Sequence, residues 1–325
     1  MLKSKRNTIC ILATNLLLGT LVINPTPAAE PGTINYPAGS PGPFLGKFPP
    51  IPGLFAVAQT SYTSADALYD KDGDKIHADD FQLDIWVQTF RFVASYPWQL
   101  GGANLYSQFV LPLVFDVHSS LSVDTPYGKF DLFDGHDAGL SNLVVSPLIM
   151  NWQEKDSPHY FTLGLDIILA AGASYDEDNA VNAGTGYTTY MPIAAYRYDK
   201  PNGLDAGIKV NYLFNRKNGD TDYHTGDMIA IESIVGWNFG NWKVSTLANY
   251  TDQLEDDKIG GAKQKDSQYR YMNVGPSITF SAGPMIFNLN CQFGVLAENT
   301  SMNNSFWFNF TVPLYVPNAS MQQRP

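Results

Sequence analysis

From Ser305 to Leu314 the chain alternates without a slip. Phe306, Phe308, Phe310, Val312 and Leu314 fall on one face, and Ser305, Trp307, Asn309 and Thr311 on the other. A β-strand turns successive side chains to opposite faces, so this run is apolar on one side and polar on the other. The pattern recurs. In the run from Leu204, the residues Leu204, Ala206, Ile208, Val210, Tyr212 and Phe214 oppose Asp205, Lys209, Asn211 and Asn215. Met272, Val274, Ile278 and Phe280 oppose Tyr271, Asn273, Ser277 and Thr279; Met285, Phe287, Leu289, Cys291, Phe293 and Val295 oppose Asn288, Asn290 and Gln292. Twelve strands are predicted, at 54–64, 83–95, 103–115, 140–152, 159–171, 188–198, 204–215, 226–238, 242–251, 268–280, 284–297 and 305–314.

The connections alternate in length. Those at 65–82, 116–139, 172–187, 216–225, 252–267 and 298–304 are long and rich in Asp, Asn, Gly and Lys, while 199–203, 239–241 and 281–283 are tight turns. Short turns on one side and long loops on the other, with aromatic outward faces, predict an all-β fold: a transmembrane antiparallel barrel of about 12 strands. A charge on the lipid face costs about 2–4 kcal/mol at mid-membrane, so Asp166, Lys209 and Glu232 must point inward. Lys209 and Glu232 sit opposite each other if Asn215 pairs with Gly226, and both are expected to face water. The candidate lumen lining is therefore Asp166, Lys209, Asn211, Glu232, Tyr271, Asn273, Asn288, Asn290 and Gln292. Trp98, Trp152, Trp237 and Trp242 fall at the short-turn ends of strands and Trp86 and Trp307 near the long-loop ends, as two aromatic girdles require. One strand resists this treatment. Neither parity is clean from Gln82 to Arg91, which points to a bulge.

Ahead of the strands, Lys3, Lys5 and Arg6 precede an apolar stretch from Ile9 to Ile23 and then Pro25, Pro27, Ala28 and Ala29, the pattern of a cleaved secretory signal at 1–29. Cys10 leaves with it, so Cys291 is the one cysteine of the mature chain and no internal disulfide can form. Residues 30–53 are so dense in Pro and Gly that they cannot sustain a ladder. This leader is either an extended periplasmic coil or a plug threaded into the lumen. The barrel then covers 54–315, and 316–325 forms a C-terminal tail. No later apolar run approaches the roughly 20 residues of a helical span. The net charge of −11 argues against nucleic acid, whose phosphates need a basic face.

Candidate chemistry is sparse. Five histidines (His77, His118, His136, His159 and His224) are scattered, without metal-ligand spacing, and no serine stands in a nucleophile elbow. A Ser–His pair on the barrel wall, close only in space, is the weaker enzymatic alternative. Asp70, Asp72 and Asp74 surround Gly73, but the glycine comes too early for a calcium loop and the closing bidentate Glu is missing. A solvated loop is the simpler reading there and at Glu255, Asp256 and Asp257. No catalytic, cofactor or metal residue is assigned. The inward polar faces instead suggest a channel, since twelve strands leave more interior room than the eight whose side chains nearly fill it.

Several stretches resemble outer-membrane proteins of the meta-pathway of phenol degradation family. Asn-Tyr-Pro-Ala-Gly-Ser at 35–40 and Phe-Pro-Pro-Ile-Pro-Gly-Leu-Phe at 48–55 look like its N-terminal signature. Ser-Ala-Asp at 64–66, Leu-Gly-Gly at 100–102, Leu-Val-Val-Ser-Pro-Leu at 143–148 and Tyr-Leu-Phe-Asn at 212–215 follow in order. Thr-Asp-Tyr-His-Thr-Gly-Asp at 221–227, Gln-Leu-Glu-Asp-Asp-Lys at 253–258 and Val-Gly-Pro at 274–276 complete the series. The resemblance implies an outer-membrane barrel in a Gram-negative bacterium, similar to channels for hydrophobic and aromatic compounds, with no catalytic residues. Its implied partners are the lipid bilayer, a small-molecule solute and the outer-membrane assembly machinery. One departure is the end of the chain: such barrels usually finish on an aromatic, whereas ten residues follow Tyr315 here. Two other readings compete, a non-conducting surface-display barrel and a soluble periplasmic β-sandwich binder.

Overall fold

The computed structural model describes residues 34–37, 39–40, 42–76, 80–154 and 156–317; the stretch 1–29 expected to be a signal peptide and the residues beyond 317 lie outside them. Thirteen strands make one antiparallel sheet: β1 (Gly53–Ala65), β2 (Asp80–Leu100), β3 (Ala103–Thr125), β4 (Gly128–Leu140), β5 (Leu143–Trp152), β6 (His159–Leu169), β7 (Thr189–Asp199), β8 (Leu204–Asn215), β9 (Met228–Phe239), β10 (Trp242–Gln253), β11 (Arg270–Ala282), β12 (Met285–Glu298) and β13 (Asn304–Tyr315). Each pairs with its chain neighbour, except that β3 pairs with β5 as well as β4, and β1 meets β13 from Leu54↔Tyr315 to Ser64↔Asn304. The ring thus closes on twelve strands and leaves no open edge in the wall. Closure satisfies every ladder without water, which is what a strand-built membrane span demands. Among the described residues no helix is long and apolar enough to cross a membrane.

The extra strand is β4, which pairs only with the outer part of β3, from Leu113↔Leu140 to Thr125↔Gly128. The segment 116–139 is therefore not a loop, as its Asp, Gly and His content suggested, but a hairpin that carries the sheet beyond the ring. Above the bilayer a strand needs no uniformly apolar face, so the usual signal was missing. The irregularity expected near Gln82–Arg91 is real, but its extra residue lies on the partner strand. Trp86 pairs with Asp116 and Val87 with Val114, which leaves Phe115 bulged outward, edge-on to Trp86 at 5.3 Å between ring centroids.

Short turns close one end. Gly101 and Gly102, with φ of +56° and +77°, make the two-residue turn between β2 and β3, a conformation that needs positive φ at both positions. At the other end the long connections form small ladders of their own: Tyr223–His224 with Lys258–Ile259, and Leu68–Tyr69 with Thr300–Ser301. Side-chain exposure follows the parity read from the sequence on β8, β11 and β12. Trp86, Trp98, Trp237 and Trp242 are exposed on the outer face, and Trp152 is half-buried with its Nε1–H on the carbonyl of Gly101 at 2.9 Å. Trp307 breaks the girdle pattern. It is 7 % exposed, faces inward and donates to Ser305 Oγ, because strand parity outweighs the preference of indole for an interface.

The described part of the leader lies inside the ring rather than extending from it. It includes a single 3₁₀ turn at Gly42–Phe44 and runs along the barrel axis. Asn35 meets Tyr187 and Thr189 at the long-loop end, Gly39 meets Glu232 near mid-height, and Lys47 pairs with Asp199 at the short-turn end.

Candidate functional site: the space between leader and wall

One side of the lumen holds the leader by hydrogen bonds. Lys209 and Glu232 are in register on β8 and β9, with Lys209 Nζ 3.6 Å from Glu232 Oε2. They do not face water. Both are buried beneath the leader, where Lys209 Nζ donates to the Tyr36 hydroxyl at 3.1 Å and the Gly39 N–H donates to Glu232 Oε1 at 2.6 Å. Gly39 has φ of +88°, and a Cβ there would lie 2.2 Å from Gln292 Oε1. Only glycine lets the backbone approach that wall. Its carbonyl accepts from Gln292 Nε2 at 3.3 Å, and Gln59 Nε2 donates to the Ser40 carbonyl at 2.8 Å.

At the short-turn end, Arg197 is fully buried and donates to both carboxylate oxygens of Asp205 at 2.7 and 2.6 Å and to the carbonyls of Pro43 and Leu45, both at 2.8 Å. Lys243 Nζ adds a contact to Asp205 at 2.6 Å. This bidentate fork also turns its other terminal nitrogen to two carbonyls of the leader, which a lysine could not do. Of the residues singled out in sequence, Asn288, Asn290, Gln292 and Asn309 interlink as an amide ladder, in which Gln292 donates to Asn290 and both Asn290 and Asn309 donate to Asn288. Asn211 donates to the Ala230 carbonyl, Asn273 is buried on β11, and Tyr271 packs with Tyr36, Tyr269 and Met228. Eight of the nine expected lumen residues thus fall along β8–β12. Asp166 stands apart on β6.

Across the lumen from Lys209 and Glu232, strands β2 to β7 turn apolar side chains inward among polar ones. A cavity of about 260 Å³ lies between that wall and the leader, lined by Ile85, Val87, Val114, Ile168, Met191 and Ile193, with Tyr36, Phe44 and Phe48 on the leader's side. This explains the failed parity of β2. Trp86 and Phe90 face out while Ile85 and Val87 line the cavity, so both faces are apolar. Polar groups interrupt the apolar lining, among them Thr89, Arg91, Gln108, Thr162 and Asp166. Gln108 donates to Ser146 at 3.1 Å, Ser146 donates to Asp166, and Arg91 reaches the same space from β2. Arg91 and Arg197 were passed over in sequence. The rule that placed Asp166, Lys209 and Glu232 inward applies to both.

The other candidates are structural. Asp70 accepts from the backbone N–H of Asp72 at 3.0 Å and of Asp74 at 2.9 Å, closing a turn. Asp257 is buried and ties the long loops together, accepting from Tyr223, Gly226 and Gln253. His118 and His224 bond Asp134 and the Asn215 carbonyl, His159 bonds Tyr196, and His77 lies outside the described residues.

A family model described as "Putative MetA-pathway of phenol degradation" matches residues 65–310. No curated protein matches the chain by sequence. Among solved structures, an outer-membrane channel from Pseudomonas putida F1 superposes with a TM-score of 0.71 at 16 % identity, covering 84 % of this chain and 98 % of that one. Two further barrels overlap less well. A mutant of the monoaromatic hydrocarbon channel TodX gives a TM-score of 0.44 at 9 % identity, over 81 % of this chain and 90 % of that one. The toluene transporter TbuX of Ralstonia pickettii gives 0.44 at 7 % identity, over 83 % and 91 %.

Proposed function

Since the chain belongs to the MetA-pathway of phenol degradation family, we propose that it is an outer-membrane channel of a Gram-negative bacterium for passive uptake of small hydrophobic compounds, aromatic ones included. The observation that carries this reading is the apolar cavity between leader and wall. A water-filled pore for polar solutes has a polar lining throughout. Here the cavity beside the leader is lined mainly by apolar side chains, and its volume suits a single ring: an apolar cavity of about 150 Å³ suffices for benzene. The solute crosses by partition along this face, without covalent chemistry, so no residue is asked to act as acid, base or nucleophile. The leader narrows the path and excludes larger and more polar molecules.

Reconstitution into liposomes tests this directly. Toluene and related monoaromatics are expected to enter protein-bearing vesicles faster than protein-free ones, while sugars of similar size do not. Equal entry of both classes would point to a general pore, and entry of neither to a surface-display barrel.

A further inference from the structure

We infer that Arg91 is the specificity-determining group of this cavity and that it selects small aromatic molecules carrying an oxygen head able to accept a hydrogen bond. The inference deepens the channel reading above and rests on it. Arg91 points inward from β2 between Val57 and Val110, its register partners on β1 and β3. Among the described residues its Nε–H is buried and finds no acceptor. Guanidinium carries five N–H donors in a fixed fork and no acceptor, so a buried, unsatisfied one is costly.

Two other arginines are paired. Arg197 donates to Asp205 and to two leader carbonyls, and Arg270 binds Asp252 and both oxygens of Glu298. The other charges nearby have partners of their own, although Glu232 Oε2 accepts no hydrogen bond. Lys209 and Glu232 face each other and hold the leader, and Asp166 accepts from Ser146. What remains at Arg91 is an unpaired donor in a cavity that it shares with Thr89, Gln108 and Asp166 and whose other lining includes Ile168 and Met191. A molecule with a ring against Ile168 and Met191 and an oxygen at Arg91 would satisfy both parts of the cavity at once.

The site is tested by calorimetric binding of toluene, benzyl alcohol and benzoate to the detergent-purified protein, wild type against Arg91→Met. The substitution keeps length and packing and removes the donors. Expected is a loss of about tenfold or more in affinity for benzyl alcohol, benzoate or both, with toluene unchanged or tighter. A drop confined to benzoate makes the head anionic, and one confined to benzyl alcohol makes it neutral; either supports the assignment. Binding of none of the three by the wild type, or a loss shared by toluene, overturns it. If the methionine variant does not fold, Arg91→Lys replaces it and is expected to weaken benzyl alcohol more than benzoate; unchanged affinities for both overturn the assignment. Vesicle flux is measured in parallel. Binding that depends on Arg91 without any flux removes the channel and leaves the site, whereas flux with no such dependence does the reverse.

Discussion

The two halves of the lumen are built from the same kind of strand and do opposite things. From β8 to β13 the inward positions carry amides and charges, and these are spent on one another or on the leader. From β2 to β7 they include valine, isoleucine and methionine beside Thr89, Arg91, Gln108 and Asp166. The leader backbone is bonded there toward the short-turn end, by Tyr106, Asn151, Thr162 and Arg197. An amide ladder binds a peptide because a peptide brings donors and acceptors in equal measure. The apolar stretches of wall offer it no such partner, and the unfilled space collects beside them. The asymmetry of the lining therefore decides both where the plug sits and where a solute can pass.

The largest expected effect lies at the clamp. Arg197→Ala leaves Asp205 buried with only Lys243 and frees two leader carbonyls; breaking a buried pair by deleting one partner costs about 3–5 kcal/mol. Denaturant unfolding in detergent should show this loss, and a change under 1 kcal/mol would mean that the clamp is not what fixes the leader. Gly39→Val comes next. A side chain at φ of +88° costs about 1–2 kcal/mol before its clash with Gln292 is counted. The barrel should still assemble while non-selective conductance rises, and unchanged conductance would show that the leader does not restrict the lumen.

A third substitution compares the halves directly. Val87→Asn puts an unpaired amide on the apolar wall at about 1–3 kcal/mol and should slow toluene entry, whereas Thr279→Asn on the amide side should do neither. If both behave alike in flux assays, the two linings are equivalent and the contrast fails. The smallest effect is expected outside the lumen. Thr60 donates to Gln88 at 2.7 Å on the outer face, so Thr60→Val should cost only about 1 kcal/mol and leave flux unchanged.

Much of this was readable in the chain because period-two alternation survives wherever a strand has lipid on one side and a polar lumen on the other. That is why β8, β11 and β12 fell into place residue by residue, and why the pairing of Lys209 with Glu232 followed from counting back from Asn215. The same logic lost its contrast on β2, where the cavity makes the inner face as apolar as the outer. It lost it again above the membrane, where β4 has no lipid to face. Trp307 shows the limit of residue-type preference: its inward position follows from the parity of its own strand. The place of the leader stayed open between an extended coil and a lumen plug, because a Pro- and Gly-rich segment carries no periodicity to say what it touches.

The leader is continuous with β1 through Gly53, so it never leaves the barrel's own neighbourhood. A short tether of this kind holds a ligand at an effective concentration on the order of millimolar, whatever the bulk dilution. Displacing the leader is thus an intramolecular equilibrium, indifferent to how many copies the membrane holds. A free peptide of the same sequence would need millimolar levels to compete for the clamp. After any solute has pushed past, the occupant that returns is the chain itself.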